Sequence, residues 1–411
     1  MRYVLGIHLG ATRTTAAVSR SAGGPWGTPE AVPLLGGLPW LDSALYIGRD
    51  GTLEAGQAAL RHAPTEPERI ARAPHLRTGD PVPVVLGEAS YPAESLAAAL
   101  IGWVADRVAE AEGADAERIV VTHPPSWSAY RRGLLHDALD QAQLPGVLAL
   151  PSPIAAAESH HAREPVDEGA ALAVCHLGGE HVETAVLRRG PRGFELLAHA
   201  EAAEQDAGAR LDDLLVRHVL PRAGVDENDP GSMARLRMAC TAAKERLCQV
   251  PEAAVLGEVG LSRTEFESLA RPVLAAAVAH LERIAATAPA DGLTAAVLVG
   301  GTARIPLAAE LARTMLSCPV VVDDDPGTAL ARGAALAAQP RPAPPPVQGE
   351  LSGSLVPGGG PELPAVYGQP DDDLEPPPER PPVEVTPLEP PKRRFSLSRK
   401  GTSAPDRDED R

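Results

Sequence analysis

Apolar residues follow two rhythms along the first 340 positions of the chain. Short unbroken runs, bounded by glycine or polar residues, predict buried strands at Tyr3–Ile7, Thr15–Val18, Ala44–Ile47, Arg118–Val121, Leu172–Cys175, Glu183–Leu187, Ala296–Val299 and Val320–Val322. Longer segments with apolar spacing of three and four predict helices at Ala93–Glu112, Tyr130–Ala142, Ala207–Val219, Ser232–Leu247, Arg263–Ala288 and Ala308–Met315. This alternation is that of an α/β fold with helices on both sheet faces. Beyond Pro340 the rhythm stops. Residues 341–411 are proline-dense and almost without aromatics, a composition that cannot bury enough apolar surface to offset ordering, so a disordered tail is predicted.

One pattern occurs twice. Strand, glycine turn and strand appear at Val4–Val18 (VLGIHLGATRTTAAV) and again at Leu172–Leu187 (LAVCHLGGEHVETAVL). A repeat at that separation implies duplication of a whole domain. The expected architecture is two similar lobes facing a shared cleft: lobe I over 1–165, closed by a helix near 326–339, and lobe II over 168–325. Region 214–290 is expected to be short and helical.

Charge and composition narrow the function. The 411 residues carry 38 Lys plus Arg against 55 Asp plus Glu, a net charge of −17. That balance argues against nucleic-acid binding, which needs a cation surplus to displace counterions from phosphates. Four cysteines without a Cys-x-x-Cys pair give neither a disulfide framework nor a zinc knuckle. The N-terminus reads as a strand and not as a signal peptide, and no apolar run suffices to span a bilayer. A cytoplasmic protein is expected. Aromatics are 3% of the chain, so Ala, Val and Leu must build the core.

The glycine turns are the candidate chemistry. In His8-Leu9-Gly10-Ala11-Thr12-Arg13-Thr14, Gly10 lets backbone approach a phosphate, and the threonine hydroxyls can donate to it. His176-Leu177-Gly178-Gly179-Glu180-His181 is its counterpart. Val299-Gly300-Gly301-Thr302-Ala303-Arg304-Ile305-Pro306 follows a strand and precedes a helix, where backbone amides can face a flat or anionic ligand. Taken singly, each is an ordinary turn.

In this order and spacing the three resemble the phosphate and adenosine loops of the seventy-kilodalton heat-shock (DnaK-type) chaperone family, within the actin-like ATPase superfamily. RIVVTHPPSWSAYRRGLLHDAL, LPSPIAAAES, AAKERLC and PGTALARGAALAA are similar to further family segments, and about 340 residues are covered. The resemblance implies a duplicated two-lobe actin-like (ribonuclease-H-like) ATPase fold that binds ATP or ADP. It implies contacts from Gly10, Ala11, Thr12, Arg13, Gly178, Gly179, Gly208, Lys244, Gly300, Gly301, Thr302 and Arg304, with Arg304 on the adenine face and Lys244 on the ribose side.

The departures are equally specific. His8 and His176 stand where the family has the two acids that hold magnesium through water. Ser152 replaces a glutamate, His181 a threonine, and Glu183 is the partly conservative change. The family's catalytic lysine is replaced by Arg72 or by His75. Magnesium wants oxygen ligands, and phosphoryl transfer is mostly positioning and charge neutralisation. Mg²⁺ binding is therefore in doubt, and hydrolysis is expected to be weak or absent. Three accounts of the histidines stay open: drift, metal-free phosphate binding by protonated imidazoles that strengthens as pH falls through ~6.5, and a transition-metal site built from His8, His176, His181 and Glu183.

Three functions compete. They are a chaperone-family ATP-binding protein lacking the peptide-binding domain, a pseudo-ATPase scaffold whose lobe angle a protein partner reads through lobe II or the tail, and a small-molecule kinase. The last is placed lowest because the phosphate loops offer only Glu180 and Glu183 as carboxylates. Elsewhere, His160–His161 reads as a solvated pair, Trp40, Trp103 and Trp127 as core or inter-lobe packing, and Cys175 as buried filler. Arg393–Ser398 reads as a charged tail end or a phosphorylation segment, and Glu384–Leu388 as a chance echo of the family's linker.

Overall fold

The computed structural model describes residues 1–202, 207–257, 259–289 and 292–340. The expected tail disorder, the Glu384–Leu388 echo and the Arg393–Ser398 segment lie outside the described residues.

From Tyr3 onward, strand β1 (Arg2–Leu9) is buried on both faces, which is why its sequence is a continuous apolar run. It turns at Gly10 into antiparallel β2 (Arg13–Ser21), with Leu9 opposite Thr14. The outer edge of β2 carries β3 (Glu30–Ala31) and the short strand Trp40–Asp42. On its other side β1 pairs in parallel with β4 (Arg118–His123), which pairs in parallel with β5 (Leu148–Pro151).

The second sheet repeats this plan. Strand β6 (Ala171–Leu177) turns into antiparallel β7 (Val182–Gly190), which carries antiparallel β8 (Gly193–Glu201). In parallel on the other side lie β9 (Leu293–Val299) and β10 (Val320–Val322). The two orders, β3-β2-β1-β4-β5 and β8-β7-β6-β9-β10, match strand for strand.

The main helices are α1 (Ala93–Glu112), α2 (Ala129–Gln141), α3 (Ser152–His161), α4 (Gly208–Ala223), α5 (Pro230–Leu247), α6 (Arg263–Ala285), α7 (Pro306–Met315) and α8 (Ala329–Ala338). Their starts are chemically marked. Ser128, Asp229 and Ser262 accept backbone N–H bonds at the first turns of α2, α5 and α6. Helices α1 and α2 share the core of the first sheet, and α6 and α7 cover one face of the second, with α4 packed on α6 and α5 on α4.

The remaining two helices are exchanged. Helix α3 follows the first sheet yet packs on β6, β7 and β8, whereas α8 follows the second sheet yet packs on β1, β2 and β4. They meet back to back at very short range. A Cβ on Gly333 would fall 1.7 Å from the Ala155 carbonyl oxygen, and one on Gly6 would fall 2.2 Å from the Ala331 carbonyl oxygen. The Ala and Gly content of this layer is therefore a steric requirement. The expected closing helix lies against β1.

Three expectations need correction. Region 214–290 is not all helical, because Glu252–Val255 and Val259–Ser262 form an antiparallel hairpin whose four-residue strands are too short to show a clear alternation. His160 is not solvated: α3 is sandwiched between the sheets, which leaves His160 only 2% exposed, while His161 accepts the Val166 N–H at 2.9 Å. Trp40 is not core but lines the cleft, whereas Trp127 and Trp103 do pack with the first core. Cys175 is buried filler, as expected. Among the described residues no helix is long and apolar enough to cross a membrane.

Candidate functional site

Two hairpin turns of the same geometry enter one cleft. The Gly10 N–H donates to the Arg13 carbonyl at 3.1 Å, and the Gly178 N–H donates to the His181 carbonyl at 3.0 Å. The hairpins abut: a Cβ on Gly179 would lie 2.4 Å from the Thr12 side chain. Around them is a cavity of about 410 Å³, within the usual range for a small-molecule site.

A third turn is tied to the second. Gly300 holds φ at 94°, where a side chain would meet the Leu177 carbonyl at 2.4 Å, and Thr302 Oγ1 donates to the Gly178 carbonyl at 2.7 Å. The N-terminus of α4 closes the ring, with the Gly208 and Ala209 N–H groups donating to the Gly178 and Gly179 carbonyls at 3.1 and 2.6 Å. Gly10, Ala11, Thr12, Arg13, Gly178, Gly179, Gly208, Lys244, Gly300, Gly301, Thr302 and Arg304 all line this one cavity, as do His8, His75, Ser152, His176, His181 and Glu183. Arg72 does not. It points outward from strand Ile70–Arg72, and the short turn Pro74–Arg77 carries His75 inward instead.

The cations in the cleft are already paired. Lys244 Nζ meets Asp212 Oδ1 and donates to the Gly208 carbonyl, both at 2.9 Å. Arg304 pairs with Asp325 and sits against Gly327. The Arg13 guanidinium lies 3.6 Å over the Trp40 ring and donates to Glu245 Oε1 at 2.6 Å. That contact spans the cleft from β2 to α5.

The inner end is rich in histidine. The His8 and His176 rings meet edge-to-face at 5.3 Å, and the Thr122 hydroxyl lies 2.7 Å from His8 Nδ1. Glu183 accepts from Ser152 Oγ at 2.6 Å, and His176 Nδ1 lies 3.5 Å from it. Burial, then the neighbouring His176, lowers His8 to about 3; burial, then His181, lowers His75 to about 4. Burial alone would raise Glu183, but the His176 and Ser152 contacts outweigh it and hold the carboxyl to about 2. This end is thus a carboxylate beside two imidazoles, His8 and His75, that burial keeps neutral.

Sequence reasoning missed several lining residues. Asp42 reaches the cleft through its register opposite Arg13, and burial raises its carboxyl. Asp212, Thr122, His123 and Gln249 also line it. Thr122 and His123 lie in the family-like segment RIVVTHPPSWSAYRRGLLHDAL, though nothing in it singles them out, whereas Asp42, Asp212 and Gln249 belong to no recognisable motif. The strand pairings, the first turns of α4 and the C-terminal end of α5 reveal them.

A family profile described as Hsp70 protein matches residues 63–341, well over half of the chain. The chain belongs to the Hsp70 family. A Chaperone protein HscA homolog of Azotobacter vinelandii is 28% identical over 369 residues, covering 82% of this chain and 58% of its own length. The Chaperone protein DnaK of Nitrosopumilus maritimus is 24% identical over 363 residues, covering 82% and 56%. The chain thus spans little more than half the length of these curated Hsp70 relatives.

Magnesium, which Hsp70 proteins generally use with nucleotide, does not fit these residues. His8 and His176 present ring nitrogens, and Glu183 is the only acid among the buried described residues lining the cleft. Among the described residues no group of three or more His, Cys, Asp or Glu is arranged to hold a metal ion, so the transition-metal account has no geometry behind it.

Proposed function

We propose that this Hsp70-family chain binds an adenine nucleotide, ATP or ADP, between two actin-like lobes (1–165 with the closing helix, and 168–325) and turns ATP over slowly or not at all. One observation carries the reading: the Gly10 and Gly178 hairpins, the Gly208 helix start and the Gly300–Arg304 turn share a single cavity of about 410 Å³. Weak turnover follows from what surrounds the phosphate end. Losing one well-placed electrostatic group lowers a rate by ~10²–10³, and both metal-side acids and the lysine are replaced here. His75, at the lysine's place in the cleft, is pushed down to about 4 and brings no charge.

A chaperone-like role is suggested by the names of the relatives. Four free thiols suit action in a reducing cytoplasm. A second reading, a scaffold whose partner senses lobe angle, is favoured by the Arg13–Glu245 contact, which spans the cleft and must break if it opens. The kinase reading gains one carboxylate, Asp42, and predicts that an acceptor alcohol accelerates ATP consumption.

Gly301 supplies the test. A Cβ there meets no protein atom within 4 Å, so Gly301→Val leaves the fold intact and fills ligand space. Calorimetry on the full chain is expected to show ATP and ADP binding that weakens at least about tenfold in Gly301→Val, a loss of ~1.4 kcal/mol or more. The melting temperature of the unliganded variant should match that of the wild type, and steady-state ATP turnover should stay near background. Absence of binding by either nucleotide overturns the proposal, and brisk turnover overturns its second half.

A further inference from the structure

We infer that the cleft takes the phosphate chain of its nucleotide without a divalent metal, on a donor set of histidine and threonine side chains. This rests on the nucleotide reading above and adds the chemistry of its phosphate end.

Two buried polar atoms of residues lining that end, Thr15 Oγ1 and His75 Nδ1, have no hydrogen-bond partner. His123 Nδ1 donates to the Pro124 carbonyl at 2.7 Å and His176 Nδ1 lies 3.5 Å from Glu183, so neither adds a free donor. A buried donor left unmet is costly, so the pair suits an acceptor-rich guest. Phosphate oxygens are such acceptors.

The same groups disfavour a hydrated cation. Magnesium and its waters need oxygen acceptors from the protein, and among the buried described residues here only Glu183 is a carboxylate, with its Oε2 accepting from Ser152 at 2.6 Å. When the Thr122 hydroxyl donates to His8 Nδ1 across 2.7 Å, the ring proton sits on Nε2, on the side facing Gly10. A neutral His8 then donates toward the phosphate loop. Arg13 lines the same cavity with its charge already paired to Glu245, so this end offers the phosphate chain hydrogen-bond donors and no free cation.

Full-length protein titrated with ATP in excess magnesium and in EDTA decides the matter. Affinities within about twofold of each other are expected, a difference under ~0.4 kcal/mol. Pyrophosphate should compete with ATP in EDTA. Thr15→Val replaces an unpartnered hydroxyl with a methyl of equal shape, so the unliganded protein should melt no lower while ATP affinity in EDTA falls about tenfold. ATP binding seen only with magnesium overturns this inference and leaves the nucleotide reading standing. Pyrophosphate that never competes, or a Thr15→Val protein with unchanged affinity, also overturns it. No ATP binding in either buffer overturns both.

Discussion

Gly300 and Gly301 are chain neighbours with opposite demands. The first holds φ at 94° with the Leu177 carbonyl where a side chain would go, whereas the second faces open space. Gly300→Ala should therefore lower the melting temperature while Gly301→Ala leaves it unchanged, which parallel thermal scans will check. His8 carries a pH signature. Its proton affinity is depressed in the fold, so below its unfolded value of 6.5 the unfolded chain takes up protons that the folded chain refuses. Stability is full above 6.5 and falls as pH drops toward 3. At pH 5 the loss is roughly 2 kcal/mol from His8 alone, a figure His8→Asn should remove in denaturant titrations at pH 7 and pH 5. Residues such as Gly10 and Gly178 were legible in sequence because a turn of fixed geometry demands glycine. Asp42 and Asp212 were not, because their places depend on pairings and packing that leave no local mark.

At the scale of elements, legibility tracked burial. Strands β1, β6 and β9 are hidden on both faces and read as unbroken apolar runs. Strand β8 buries little besides Phe194, and the hairpin strands Glu252–Val255 and Val259–Ser262 are only four residues each, so neither carried a strand signal. Among the described glycines, Gly333 at the α3–α8 crossing leaves the least room for a side chain. Gly333→Val should destabilise by more than the ~1–3 kcal/mol typical of overpacking, because the obstacle is the Ala155 backbone and not a movable side chain. Urea denaturation of that variant beside Gly133→Ala, whose added Cβ meets nothing within 4 Å, provides the control.

For the whole molecule, sequence gave away the duplicated plan, since the repeated hairpin sits at the centre of both five-strand orders. It hid the contacts that cross between halves, because Arg13 and Glu245 are more than two hundred positions apart. Breaking that bridge is expected to loosen the mouth of the cleft. Glu245→Gln should raise the dissociation rate of a fluorescent ADP analogue severalfold, and high salt should mimic it in the wild type, since both groups are partly exposed. Equal rates in the variant and the wild type would show that the mouth is governed elsewhere.

Because α3 and α8 each leave one sheet to cover the other, the halves are mutual hostages. A polypeptide cut between β5 and β6 yields two fragments, one with an uncovered sheet awaiting α8 and the other missing α3. Each fragment alone should be insoluble or molten, and mixing the two should restore a single sharp unfolding transition. Neither half is therefore a folding unit of its own, since each completes its core with a helix that the other supplies.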